Sequence, residues 1–217
     1  MPARTLVIGN KAYSSWSLRG WLALKQTGLP FDEILIPLDR PESPAALARY
    51  SPSLRVPVLI DGDLRIWETI AIIEHLAELV PEAGLWPRDR TSRAHARAIA
   101  AEMHTGFAQL RRDLPMDLKR APAPRAYPDP VAEEIRRVET IWAECRVAKP
   151  TGGPFLFGAF CGADAMFAPV ATRLRSYAVP ISAVSADYCD ALFDHPPMRD
   201  WVAAGRAEPW IIEYPRP

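Results

Sequence analysis

The chain has 217 residues, 49% of them apolar, enough to bury one generous core or two modest ones. Its formal net charge of +0 argues against a nucleic-acid partner or an adhesive membrane face. No apolar run approaches the length of a membrane span. Met1-Pro2-Ala3-Arg4-Thr5 leads into a strand-like segment without a signal peptide, and Cys145, Cys161 and Cys189 are too far apart for a disulfide framework, which fits a reducing cytoplasm.

In chain order, Thr5-Leu6-Val7-Ile8-Gly9 reads as a short buried strand that stops at the loop Asn10-Lys11-Ala12-Tyr13. Ser14 and Ser15 precede Trp16, Leu18, Trp21, Leu22 and Leu24, an apolar face at helical spacing. Serines before such a run are good N-caps, and Gly28 followed by Pro30 ends the helix. Phe31 to Leu38 alternates like a second strand, joined to the first by a right-handed parallel crossover. Ser43 to Tyr50 is short, Ala-rich and helical.

The next stretch organises the rest. Val56 to Ile60 and Leu64 to Trp67 flank Asp61-Gly62-Asp63, and Asp-Gly between β-formers signals a hairpin. The second run passes into Glu68-Thr69 and then Ile70, Ile73 and Leu76, a helical stripe. Pro57 is unwelcome inside a central strand. At the head of a strand it would leave the N–H and carbonyl of Val56 open to an added extended peptide. Beside them, Glu68 could take an ammonium, while the start of the following helix favours a carboxylate.

After Leu85-Trp86-Pro87 the β pattern stops. From Thr91, the apolar residues Ile99, Met103, Phe107, Leu110 and Leu114 keep helical period over one long span. A Pro-rich loop follows, then Asp129-Pro130 opens a helix through Ile135, Val138, Trp142 and Cys145, and Gly152-Gly153-Pro154 breaks it. Phe167, Val170, Leu174 and Tyr177 mark a third helix, and shorter ones are expected around Tyr188–Leu192 and Arg199–Ala204.

Val56-Pro57-Val58-Leu59 followed by Glu68-Thr69 resembles the glutathione-binding half of the glutathione S-transferases, and the β-α-β-α-β-β-α order followed by helices extends that likeness to essentially the whole chain. The resemblance implies a thioredoxin-like α/β domain over residues 1–80, a linker at 81–90 and an all-α helical domain over 91–217. Val56 would pair with the cysteinyl of glutathione, Glu68 and Thr69 would hold its γ-glutamyl end, and Arg55 would take the glycine carboxylate, with Arg40 a weaker candidate. Ser14-Ser15-Trp16 is similar to the Ser-Ser-Cys of serine-type, zeta-like members, in which a serine activates the thiol. Ser14 or Ser15 is therefore the expected catalytic residue, Ser14 slightly favoured, with Tyr13 as the runner-up hydroxyl.

Trp16 departs from the zeta cysteine and weakens any transfer of isomerase activity. Phe160-Cys161-Gly162-Ala163-Asp164 matches the family's Ser/Thr-x-x-Asp helix cap, with cysteine in place of the hydroxyl. Met103-His104-Thr105-Gly106-Phe107 and Leu110-Arg111 are similar to a bacterial branch, and the electrophile is expected near Met103, His104 and Phe107. His75, His95, His104 and His195 lack ligand spacing, so no metal is expected. The implied function is conjugation of glutathione, as co-substrate, to a small hydrophobic electrophile by a cytoplasmic homodimer. The alternatives are a glutathione-dependent cis-trans isomerase of the maleylacetoacetate type and a non-catalytic ligand-binding protein of the same fold.

Overall fold

The structure, a computed structural model, describes residues 4–148 and 152–213; the reading of residues 1–3 as free of a signal peptide lies outside them. Four strands, β1 (Arg4–Ile8), β2 (Asp32–Leu35), β3 (Val58–Asp61) and β4 (Leu64–Trp67), form one mixed sheet in the order β2-β1-β3-β4. β1 pairs in parallel with β2 and antiparallel with β3, and β3 pairs antiparallel with β4. The hairpin turns at Gly62, whose φ of 60° needs no Cβ accommodated. β2 is shorter than its alternation suggests, because Pro37 has no N–H to continue the ladder. β3 likewise starts two residues late, beyond Pro57, which follows a cis Val56-Pro57 bond.

Helices α1 (Ser15–Gln26) and α3 (Thr69–Leu79) pack together, burying Leu18, Leu22 and Ile72 in a core shared with Leu6 and Leu59. The short α2 (Ser43–Ala48) lies in a second cluster, where Leu47 meets Val7, Ile36 and Val58. Strand residues thus alternate between two covered faces, a thioredoxin-like arrangement.

The remaining helices are α4 (Arg90–Thr105), α5 (Ala108–Asp113), α6 (Asp129–Ala148), α7 (Gly162–Ser176), α8 (Ala183–Asp194) and α9 (Pro196–Ala207). The long apolar period after Thr91 is two helices rather than one. Gly106 ends α4, and Phe107 takes a left-handed φ of 59° before α5 begins. Periodicity alone hid this break, because Phe107 and Leu110 are buried on both sides of it. α8 and α9 are longer than expected, at 12 residues each.

Every residue of α7 except Arg175 is buried, and α7 packs against both α1 and α4. Its start is closed by Asp164, which accepts from the N–H of Cys161 at 2.8 Å, from the N–H of Leu156 at 3.1 Å and from the Tyr188 hydroxyl at 2.9 Å. Burial raises the Asp164 pKa, against these hydrogen bonds, which favour the carboxylate. The cap read from Cys161 and Asp164 is therefore present. Its reach to Leu156 and Tyr188 was invisible in the local spacing. Cys145, Cys161 and Cys189 are free and buried, and Trp142 and Trp201 are fully buried core. Among the described residues, no helix is long and apolar enough to cross a membrane.

Candidate functional site

The site begins where the β1–α1 loop turns into helix. Asn10 is fully buried; its carbonyl accepts from the N–H groups of Tyr13 and Ser14, and its side-chain oxygen accepts from the Leu38 N–H at 2.8 Å. That holds Ser14 as the N-cap of α1. The Ser14 Oγ accepts from the Ser17 N–H at 3.4 Å and donates to the Ser17 Oγ at 2.8 Å, while Ser17 also accepts from the Gly9 N–H. Ser14 is thus committed to capping. The Ser15 hydroxyl makes no hydrogen bond within the described residues and is not sealed from solvent.

A cleft of about 300 Å³ opens beside this helix start. One wall comes from the sheet. Arg55, Val56 and Pro57 line it, and neither the N–H nor the carbonyl of Val56 has a hydrogen-bond partner among the described residues. Facing them, Glu68 and Thr69 open α3. Glu68 holds a φ of 68° and ψ of 123°, a conformation that costs a non-glycine residue on the order of 1–3 kcal/mol. The side chain of Glu68 caps nothing and is half exposed, so its carboxylate is free to face the cleft. Thr69 is fully buried and its hydroxyl reaches only the Trp16 carbonyl, at a long 3.5 Å.

The other wall comes from the helical half. The break after α4 leaves the carbonyls of Met103 and His104 without helical partners, and the Arg111 guanidinium from α5 donates to both. A cation at a helix C-terminus also complements the dipole. This docking carries Arg111 across the face of Trp16, 4.9 Å from the ring centroid. Arg19 approaches the same ring at 4.4 Å, and His104 meets it edge-on at 5.2 Å. His104 Nε2 lies 3.5 Å from a Glu68 carboxylate oxygen.

The electrostatics of this wall are one-sided. Arg19 is completely buried; its Nε donates to the Met166 carbonyl at 2.8 Å, while both terminal nitrogens have no hydrogen-bond partner among the described residues. Burial, and then repulsion from Arg173 and Arg111, pushes the Arg19 pKa well below its ordinary value. Burial lowers Arg111 in the same way. His104 is lowered chiefly by burial, with Glu68 opposing and Arg19 and Arg111 adding to the shift. Positive groups thus gather behind Trp16, and an anion in the cleft would relieve them.

Arg55, Val56, Glu68 and Thr69 are therefore brought together in one cleft. Ser14 and Ser15 stand at the helix start behind Trp16 and do not line it. Tyr13 is buried and its hydroxyl interacts with the backbone of Ile212, away from the cleft. Arg40 is exposed and does not line it either. His104 faces the cleft, but Met103 and Phe107 are core, a correction to the expected electrophile wall: Met103 is on the buried face of α4, and Phe107 is buried at the break before α5. Trp16, Arg19 and Arg111 complete the site without having been read as site residues. A buried arginine on an apolar helix face was the one local sign, at Arg19. Among the described residues no cluster of His, Cys, Asp or Glu could hold a metal ion.

A mixed thioredoxin-like sheet with an open peptide edge, followed by a helical half, defines the class. Residues 13–79 match the family model described as glutathione S-transferase, N-terminal domain. The family likeness in sequence is thus confined to this N-terminal stretch. It is 37% identical over 97 residues to a probable maleylacetoacetate isomerase of Caenorhabditis elegans, a match covering 44% of this chain and 44% of that protein. Among solved structures, a glutathione transferase homologue from Burkholderia with bound glutathione superposes with a TM-score of 0.71 at 24% identity, covering 96% of this chain and 100% of that one. A bacterial maleyl pyruvate isomerase of the zeta class gives 0.70 at 21% identity, over 94% and 98% of the two chains. The fold is shared along nearly the whole length.

Proposed function

We propose that this protein is a glutathione transferase whose second substrate is a small electrophile bearing a carboxylate. The observation that carries the reading is the pairing, in one cleft, of an unengaged Val56 backbone with the open start of α3. An extended peptide would hydrogen-bond Val56 as an added strand. Its amino-acid end would meet both complements it needs: the Glu68 carboxylate for the ammonium, and the α3 N–H groups with Thr69 for the carboxylate. Arg55, exposed at the cleft edge, would take the far carboxylate.

The thiol of such a peptide is mostly protonated at neutral pH. Each unit of lowering requires about 1.4 kcal/mol of extra anion stabilisation. The start of α1 can supply it through backbone N–H groups, the helix dipole and a hydroxyl. Ser15 is the hydroxyl free to donate; Ser14 could do so only by giving up its bond to Ser17. Arg111 in the cleft lining, with the buried Arg19 behind Trp16, supports an acidic electrophile in place of the hydrophobic one that the resemblance implied.

The same wall favours a second reading, glutathione-dependent isomerisation of an unsaturated keto acid, in which the thiolate adds, the carbon–carbon bond rotates and the thiolate leaves unchanged. A homodimer belongs to the proposal as well, since Leu64 and Trp67 of β4 are exposed at the sheet edge. So do cytoplasmic placement and a division of the chain at 81–90, where a 3-10 turn over Pro81–Ala83 separates α3 from α4.

The test compares turnover of an aryl halide, the same halide bearing a carboxylate, and a cis-unsaturated keto diacid, each with glutathione. We expect the carboxylated halide to be preferred and Arg111→Met to abolish the preference. Isomerisation of the diacid without loss of glutathione would select the second reading. Glutathione binding with no turnover of any of the three would leave a ligand-binding protein.

A further inference from the structure

The loop that delivers Ser14 and Ser15 is held by the helical half through all four backbone N–H and C=O groups of Lys11 and Ala12. The Lys11 N–H donates to Glu208 Oε1 at 2.6 Å and the Ala12 N–H to Glu208 Oε2 at 3.1 Å. The Lys11 carbonyl accepts from Trp201 Nε1 at 2.9 Å, and the Ala12 carbonyl accepts from the Leu118 N–H at 3.1 Å. Glu208 stands just past the end of α9, is 8% exposed, and has its own carbonyl bonded by the Lys119 ammonium. Contact is backbone to backbone: a Cβ on Gly205 would come within 3.0 Å of the Ala12 nitrogen.

This grip is more specific than packing requires. Two adjacent N–H groups aimed at one carboxylate form a charge-assisted, two-point bond that fixes direction as well as distance. The next residues, Tyr13 and Ser14, are bonded to Asn10, so a shift at Lys11 and Ala12 passes directly to the N-cap. Donors that stabilise a reacting anion must hold their place, since a misplacement of about 1 Å can cost on the order of 10²-fold.

We propose that Glu208 is a positioning residue for thiol activation: by clamping Lys11 and Ala12 it sets where the start of α1 meets the sulfur. The proposal rests on the reading of α1 as the thiol site. It has a sign that distinguishes it from a field effect. Removing a negative charge from the neighbourhood would by itself stabilise the thiolate and lower the thiol pKa. Loss of positioning weakens the donors and raises it.

The experiment titrates the thiolate absorbance of glutathione bound to the full chain, for Glu208→Gln, Glu208→Asp and Trp201→Phe. Glutamine keeps the shape but offers one acceptor where two donors arrive. Phenylalanine keeps an aromatic ring beside Trp21 while removing the bond to Lys11. We expect Glu208→Gln to raise the bound thiol pKa by about one unit, a thiolate fraction at pH 7 smaller by up to about tenfold. The kcat should fall by a similar factor at little-changed KM for glutathione. Trp201→Phe should shift the pKa in the same direction by less, and Glu208→Asp should recover part of the loss. Should Glu208→Gln not fold, Trp201→Phe decides on the same readout.

An unchanged or lowered thiol pKa in these variants, whatever their melting temperatures, overturns the proposal. Ser14→Ala and Ser15→Ala are titrated alongside. A shift in a serine variant with none at Glu208 refutes the positioning role alone. No shift in any variant removes the α1 thiol site with it. A shift at Glu208 with none at the serines supports positioning, with the α1 N–H groups as the activating donors.

Discussion

Two helix starts in this molecule are treated in opposite ways. At α7 every nearby donor is met from inside: Asp164 takes the N–H groups of Cys161 and Leu156 and the Tyr188 hydroxyl, all in the core. At α3 the N-cap Glu68 caps nothing, holds a left-handed φ, and keeps its carboxylate half exposed beside the unengaged backbone of Val56. The physical rule is the same at both ends of the comparison. A buried donor must be satisfied by the protein, whereas a donor at a cleft is open to water or to a ligand. One start contributes stability; the other costs some and keeps a site open.

The comparison can be broken most forcefully at α7. Asp164→Ala strands three donors in the core, and at about 1–3 kcal/mol for each unsatisfied group it should cost 3 kcal/mol or more. Chemical denaturation measures that loss; glutathione affinity of the folded fraction should be unchanged. A stability within 1 kcal/mol of the parent would mean that water or rearrangement serves α7 as well as Asp164 does.

Glu68→Gly sharpens the other side. Relief of the left-handed backbone should stabilise the protein by up to about 1 kcal/mol, despite the added chain entropy of glycine. Losing the carboxylate should weaken glutathione binding by about 1–2 kcal/mol, a partly exposed ion pair being worth less than a buried one. Calorimetry and thermal melts on one preparation read both. Affinity and stability falling together would show that Glu68 is an ordinary structural residue.

The smallest effect is expected from Cys161→Ser. Sulfur is the weaker acceptor, so the hydroxyl should improve the α7 cap by up to about 1 kcal/mol without touching the cleft. A melting temperature at or below that of the parent would show that the side chain at 161 adds nothing to a start already closed by Asp164.

Much of the site was legible because it is built from contiguous residues. Val56 to Thr69 is strand, turn, strand and helix in 14 consecutive positions. The alternation, the Asp61-Gly62 turn and the position of Pro57 therefore specify where the Val56 backbone and Glu68 must lie. A serine cap at the start of α1 followed from equally short-range logic, although Ser14, favoured as the thiol activator, is the serine that caps. The break between α4 and α5 was not legible, since Phe107 is apolar and buried, like its neighbours in period, and nothing in its own character announces a left-handed φ.

What the sequence by itself determined is the order of elements and the unpaired backbone at Val56, because periodicity, turn chemistry and capping act over a few residues. The structure, and not the sequence, decided which serine hydroxyl is spent, since Ser14 donates to Ser17 within the first turn of α1 and leaves Ser15 uncommitted. It also decided the charge behind the cleft, where Arg19, Arg111 and Arg173 converge from three helices, and the clamp of Glu208 on a loop 196 positions earlier. Burial and charge depend on what packs alongside, and no local pattern records a neighbour that arrives from the far end of the chain.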